Sequence, residues 1–225
     1  MLYAVGDIHG ELEMLEELVA KLPLDADDSL VFVGDYIDRG PEPRAVVDRL
    51  IKLSRERRCV FLLGNHESMF CDFMGWHGAT YFGGDAFLMN GGARTLASYG
   101  YFDLADPNPA SFRLPPDHEA FYRDLKLHHC EGDYLFVHAG IGRNQLDEVD
   151  VDYALRKALP EDLLWDRATL DLPHALGVTL VYGHTPSPDL RVRWNSPFSI
   201  GIDTGAVYGG MLTAIRLPDE TLFQV

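Results

Sequence analysis

Basic residues are scarce in this chain: 19 Lys and Arg stand against 35 Asp and Glu, for a formal charge of -16. A surface of that sign repels a phosphate backbone, which excludes nucleic-acid binding by a basic face. Cysteine is scarce as well. Cys59, Cys71 and Cys130 are odd in number and form no Cys-x-x-Cys pair. That argues against a disulfide framework and for reduced thiols in a cytoplasmic protein. No apolar run approaches the ~20 residues of a membrane helix, and no basic stretch followed by a long apolar one opens the chain. Repeats and low-complexity linkers are missing too. The expectation is a cytoplasmic protein that partners neither nucleic acid nor membrane; self-association is not legible.

What the chain does contain is enough apolar sequence, 47% of 225 residues, for one domain with an ordinary core. Five short apolar runs (LYAV, SLVFV, VFLL, YLFV and TLVY) each lead into a motif. The motifs are Gly6-Asp7-Ile8-His9-Gly10, Gly34-Asp35-Tyr36-Ile37-Asp38-Arg39-Gly40, Gly64-Asn65-His66-Glu67, His138-Ala139-Gly140 and Gly183-His184-Thr185. An apolar run halted by glycine reads as a buried strand ending in a tight turn. Five strand ends in one sheet would bring Asp, His and Asn side chains to a common edge, where open α/β sheets bind ligands.

Helical periodicity follows the first motif, with Leu12, Leu15, Leu18, Val19 and Leu22 on one face. A second helix is predicted from Pro43, burying Val46, Val47, Leu50 and Ile51. Residues 1–65 thus read as strand, helix, strand, helix, strand, the pattern of a parallel sheet with crossovers. The segment of about 68–130, rich in glycine and aromatics between Phe73 and Gly92, reads as a cap inserted into a single domain spanning 1–225. Trp76, Tyr81 and Phe82 are expected to pack that cap, and the roles of Asn90 and Arg94 stay open. From 133 onward consecutive strands suggest a second sheet. The predicted fold class is α/β, a four-layer α/β/β/α sandwich of two mixed sheets.

Asp7 and His9 are two apart, so at a strand end they point to the same side and can share one metal ion. Asp35 has two carboxylate oxygens and could bridge to a second ion, completed by Asn65, His138 and His184. A nitrogen and oxygen donor set without thiolate suits manganese, iron or zinc better than calcium. Two such ions ~3.5–4 Å apart can activate a bridging water and stabilise the attacking and leaving oxygens. Any one motif alone is weak; five with matching strand contexts and complementary donors are not. His128 and His129 are expected to be solvated, while His77, His118 and His174 lack partnered spacing.

These five motifs, together with Phe87-Leu88-Met89-Asn90-Gly91-Gly92, Leu164-Trp165-Asp166-Arg167 and Ile202-Asp203-Thr204-Gly205-Ala206-Val207, resemble the calcineurin-type metallophosphoesterases over almost the whole chain. The likeness is to their phosphoprotein phosphatase branch, its small bacteriophage and bacterial members in particular. The resemblance implies Asp7, His9 and Asp35 on a first divalent ion and Asp35, Asn65, His138 and His184 on a second, manganese foremost. It implies Arg39 and Arg167 on the phosphoryl oxygens, with Asn65 beside them, and His66 paired with Asp38 on the leaving group. The implied reaction is hydrolysis of phosphoserine or phosphothreonine, phosphotyrosine being admitted, in a phosphorylated protein or small phosphate ester. A metal-bridging hydroxide would attack directly. The alternative is a symmetrical bis(5'-nucleosyl)-tetraphosphatase. Relatives of that kind typically lack the acid at Asp38 and carry Asp at Glu67, which favours the first reading. A phosphoprotein-binding scaffold without catalysis is disfavoured by the intact donors.

Overall fold

The computed structural model describes residues 1–76, 85–104 and 107–225. Its strands are β1 (Leu2–Val5), β2 (Ser29–Phe32), β3 (Arg58–Phe61), β4 (His128–Glu131), β5 (Tyr134–Val137), β6 (Thr179–Tyr182), β7 (Arg193–Asn195), β8 (Ser199–Gly201), β9 (Thr213–Leu217) and β10 (Thr221–Gln224). The helices are α1 (Leu12–Lys21), α2 (Pro43–Glu56), α3 (Asn65–Phe73), α4 (Asp85–Phe87), α5 (Ala93–Ser98), α6 (Pro116–Arg123), α7 (Val151–Lys157) and α8 (Pro160–Trp165).

Two mixed five-stranded sheets lie face to face, in the orders β10-β9-β1-β2-β3 and β4-β5-β6-β8-β7. β1, β2 and β3 run parallel in the first, and β5, β6 and β8 in the second; β9, β10, β4 and β7 pair antiparallel at the flanks. The apolar runs are continuous because both faces of these strands are buried. Alternate residues divide between layers. Ala4, Val31, Val33, Phe136, Val181 and Ile200 fill the space between the sheets. Tyr3, Val5, Leu30 and Phe32 face α1 and α2, whose Leu15, Leu18, Val46, Val47 and Leu50 close over them. Leu135, Val137, Leu180 and Tyr182 face α7 and α8 through Ala154, Leu155 and Leu163. The result is the α/β/β/α sandwich.

Three readings of the sequence change. The five motif strands do not share one sheet: three belong to the first and two to the second. On α2 the buried face runs on to Leu53, while Ile51 is only half-buried. His128 and His129, expected to be solvated, lie within β4 and are half-buried, because β4 is the edge partner of β5; His129 Nε2 meets Glu131 at 3.0 Å.

The described part of the 68–130 segment shares its core with α1 and α2, through Met69, Phe70, Phe87, Leu96, Phe112, Phe121 and Tyr122. Trp76 packs on Phe70 and under the guanidinium of Arg123. Tyr81, Phe82 and His77 lie outside the described residues. Among the described residues no helix is long and apolar enough to cross a membrane.

Candidate dinuclear metal centre

Six parallel strands, three from each sheet, end at one point. β1 ends at Asp7 and His9, β2 at Asp35, β3 at Asn65, β5 at His138, β6 at His184 and β8 at Asp203. Turning the chain so sharply puts His9, Asp35, Asp38, Arg39 and His184 at positive φ, between 46° and 69°. Each such residue stores strain of order 1–3 kcal/mol, a cost that persists where the surroundings over-determine it. Two glycines are required by close approach. A methyl group at Gly183 would overlap Asp7 Oδ1, and one at Gly64 would overlap Asp35 Oδ1.

Asp35 stands in the middle. Its Oδ1 is 3.4 Å from His138 Nε2, and its Oδ2 is 3.4 Å from His9 Nε2 and 4.0 Å from His66 Nε2. Each oxygen thus faces a different set of imidazoles. The His66 N–H, at the start of α3, donates to Asp35 Oδ1 at 3.1 Å. Asn65 Oδ1 lies 2.9 Å from His138 Nε2 and 3.0 Å from His184 Nδ1. Asp7 Oδ2 accepts the His184 N–H at 2.9 Å. Two rings are oriented by backbone carbonyls: His9 Nδ1 meets Ile37 O and His138 Nδ1 meets Val33 O, both at 2.8 Å. An Nδ1–H held in this way leaves the Nε2 lone pair aimed at the centre, as metal-binding histidines require.

The donor set fits divalent cations. Donor atoms of His9, Asp35 and His66 lie within 4.8 Å of one another, as do those of Asp35, His138 and His184. Asp7 Oδ1 is buried with no hydrogen-bond partner. Burial, then Asp203 and Asp35, push the Asp7 carboxyl well above its ordinary range, and burial first raises Asp203 to about 6. Burial raises Asp35 too, but the surrounding imidazoles outweigh it and hold its carboxyl low. His9 is lowered to about 3 and His184 to about 2, burial first in both, so both offer neutral nitrogens at physiological pH. Clustered carboxylates with an orphaned oxygen call for cations, the charge that a phosphoryl group would also need.

The remaining expected residues line this cluster. His66 Nδ1 donates to Asp38 Oδ2 at 2.6 Å, both side chains being fully buried, and His66 Nε2 is without a partner. Arg39 Nη1 lies 2.7 Å from His9 Nε2, and Arg167 Nε donates to His184 Nε2 at 3.2 Å. His118 and His174 lie elsewhere, tied to Asp48 and Tyr99 and to the Phe198 carbonyl.

Three residues were missed as site residues. Thr95 of α5 donates to Asp38 Oδ1 at 2.5 Å and accepts the Asp38 N–H at 3.0 Å, locking the partner of His66. Nothing local marks it. Glu67 accepts four backbone N–H groups, from Asp35, Tyr36, Ile37 and Gly64, at 2.7–3.2 Å. Asp203 follows the run Ser199–Ile202, a strand-end acid of the same kind as Asp7, so its signal was present.

Residues 2–204 match the family described as calcineurin-like phosphoesterase. The asymmetrical bis(5'-nucleosyl)-tetraphosphatase PrpE of Oceanobacillus iheyensis is 29% identical over 238 residues, spanning 98% of this chain and 90% of its own. A solved structure described as a candidate diadenosine tetraphosphatase is 24% identical, with a TM-score of 0.67 over 100% of this chain and 92% of its own. A serine/threonine phosphatase of Saccharomyces cerevisiae is 16% identical, with a TM-score of 0.62 over 100% and 78%. The two structural likenesses speak for the fold. With the sandwich and the paired Asp, Asn and His clusters at its strand ends, the chain belongs to the calcineurin-like phosphoesterase family.

Proposed function

We propose that the chain is a dinuclear metal-dependent phosphomonoesterase acting on phosphoserine and phosphothreonine in proteins, with phosphotyrosine admitted. The observation that carries this reading is the buried His66–Asp38 pair, 2.6 Å apart, with His66 Nε2 left free toward Asp35. An imidazole backed by a carboxylate supplies a proton where a leaving group departs poorly without one, as an alkoxide does. In this reading Asp7, His9 and Asp35 hold one ion, and Asp35, Asn65, His138 and His184 the other. Manganese is the foremost choice, with iron and zinc also suited to the donors. The bound pair would supply an activated water and charge stabilisation. Arg39 and Arg167 offer forked, permanently charged donors to the phosphoryl oxygens. Residues 1–225 are taken as a single domain whose 68–130 segment caps the mouth, a reading supported by the reach of Thr95 to Asp38. The three free cysteines support a cytoplasmic setting.

The relative from Oceanobacillus iheyensis, similar over 98% of the chain, carries the name of an asymmetrical tetraphosphatase and so supports a second reading. Its substrate would be a dinucleoside tetraphosphate, cut off-centre rather than symmetrically as the sequence suggested. The test is manganese-reconstituted protein assayed side by side on phosphoserine, phosphothreonine and phosphotyrosine peptides and on diadenosine tetraphosphate. The first reading expects the highest kcat/KM on a phosphopeptide. A higher value on the tetraphosphate would replace it by the second, and the products, AMP with ATP or two ADP, would fix the point of cleavage. Hydrolysis of none would sink both.

A further inference from the structure

Tyr208 presents a large aromatic ring beside the Arg39 guanidinium. It is 55% exposed, yet its ring takes the guanidinium of Arg39, with Cζ 5.6 Å from the centroid. Arg39 in turn reaches His9 Nε2, so the ring stands one side chain away from the metal cluster. The turn that carries it is rigid. Ala206–Tyr208 form one 3-10 turn between Gly205 and Gly209, both left-handed, and Tyr208 N–H donates to Gly205 O at 2.8 Å. Gly210 N–H closes on the same carbonyl at 2.9 Å, and Asp203 Oδ1 accepts the Gly205 N–H at 3.0 Å. The ring is therefore tied to the carboxylate cluster through five residues of hydrogen-bonded chain. Two other large apolar side chains of the surrounding turns are exposed: Met211, whose backbone bridges to Gly205, at 50%, and Met89, two residues before the Gly91 that packs on the Arg39 stem, at 81%.

We propose that Tyr208 is the floor of a substrate subsite for a planar aromatic group attached to the phosphate. One face of the ring is taken by Arg39, which fixes it beside the phosphoryl position; the exposed remainder is free to stack. A tyrosine loses little entropy on binding, because it has only two side-chain torsions to fix. The chemistry it would select is a flat π-system within reach of the scissile phosphate, either an aryl ester or a nucleobase. This rests on the phosphohydrolase reading, and it adds a preference that a bare phosphoserine cannot exploit.

The experiment compares wild type, Tyr208→Leu and Tyr208→Phe, loaded with manganese and checked for equal metal content. Binding of phenyl phosphate, AMP and phosphoserine is measured by calorimetry, and kcat/KM on the three phosphopeptides and diadenosine tetraphosphate in parallel. Tyr208→Leu is expected to weaken phenyl phosphate, AMP or both by roughly tenfold, the worth of one ring stack. Phosphoserine should change by less than about twofold, and Tyr208→Phe should restore the aromatic ligands, since stacking needs the ring and not the hydroxyl. Which aromatic ligand loses affinity tells an aryl ester from a nucleobase. Equal loss on phosphoserine would overturn the proposal and make Tyr208 a positioning residue for Arg39. No loss on either aromatic ligand would overturn it outright. Because the binding arm needs no turnover, a protein that hydrolyses nothing would sink the phosphohydrolase reading while the subsite is still judged.

Discussion

His66 has no exposed surface and still keeps one ring nitrogen without a partner. A buried imidazole nitrogen left unpaired costs free energy unless something in the working protein meets it. Its other nitrogen is held by Asp38, and Asp38 by Thr95, so the ring cannot turn to hide the bare one. In the reaction proposed above, such a ring would hand a proton inward. His66→Asn should slow hydrolysis of a phosphoserine peptide by roughly 10²–10⁴-fold, the span of general acid catalysis, and slow an aryl phosphate much less. Thr95→Val should show the same ordering in milder form, about tenfold on the phosphoserine peptide, since it removes one hydrogen bond to a charged group. Steady-state rates on the two substrates decide it. Equal loss on both would recast His66 as a group that positions water or phosphate.

At the scale of elements, α3 does more than start with Asn65. Glu67 sits on its first turn and caps its own helix by accepting the Gly64 N–H at 3.1 Å, then reaches across to the turn after β2. There it accepts the N–H groups of Asp35, Tyr36 and Ile37. One carboxylate thus joins two strand ends that are neighbours in the sheet, and each of its oxygens takes two donors. Glu67→Gln keeps the shape but turns one acceptor into a donor facing N–H groups. We expect a loss of about 3 kcal/mol, the upper end for unsatisfied buried groups. For a chain of this length that is a fall of roughly 6–12 °C in Tm. Metal content should drop with it, because Asp35 is no longer held. Melting curves and metal analysis check this together, and an unchanged value in both would show that the clamp is dispensable.

Across the whole molecule, an acidic chain gathers Asp7, Asp35 and Asp203 at one buried point, where burial, Asp203 and Asp35 raise the proton affinity of Asp7, and burial and Asp35 raise that of Asp203. That repulsion sits where the two sheets converge, so relieving it should steady the entire sandwich. A cation that binds only the folded chain stabilises it by about 2.7 kcal/mol when present at 100 times its Kd. Manganese added to chelator-treated protein should therefore raise Tm by roughly 5–10 °C at this chain length. Asp35→Asn, which removes the carboxylate facing both imidazole groups, should fold and lose most of that gain. The readout is a thermal melt with and without metal. A manganese response of the same size in Asp35→Asn would mean that the ions bind elsewhere.

By itself the sequence determined which residues stand at strand ends and what chemistry they carry. Continuous apolar runs must be buried on both faces, and a glycine that halts them marks the turn, so Asp7, His9, Asp35, Asn65, His138 and His184 could be placed from local pattern alone. That pattern reports that a face is buried, never against what. The second sheet was foreseen from the strands after 133, but only the tertiary structure decided that strand ends of both sheets meet at one point, and that the His184 N–H meets Asp7 across 177 residues of chain. Short elements escaped for a related reason: α7 and α8, of seven and six residues, span fewer than two full turns, too little for a 3.6-residue period to show. Thr95 and Tyr208 were not legible as site residues, although each lies just past a motif, because neither is a metal-ligand type at a strand end. What makes them notable is contact with Asp38 and Arg39, from 57 residues away for Thr95 and farther for Tyr208, and contacts at that separation are set by how layers pack.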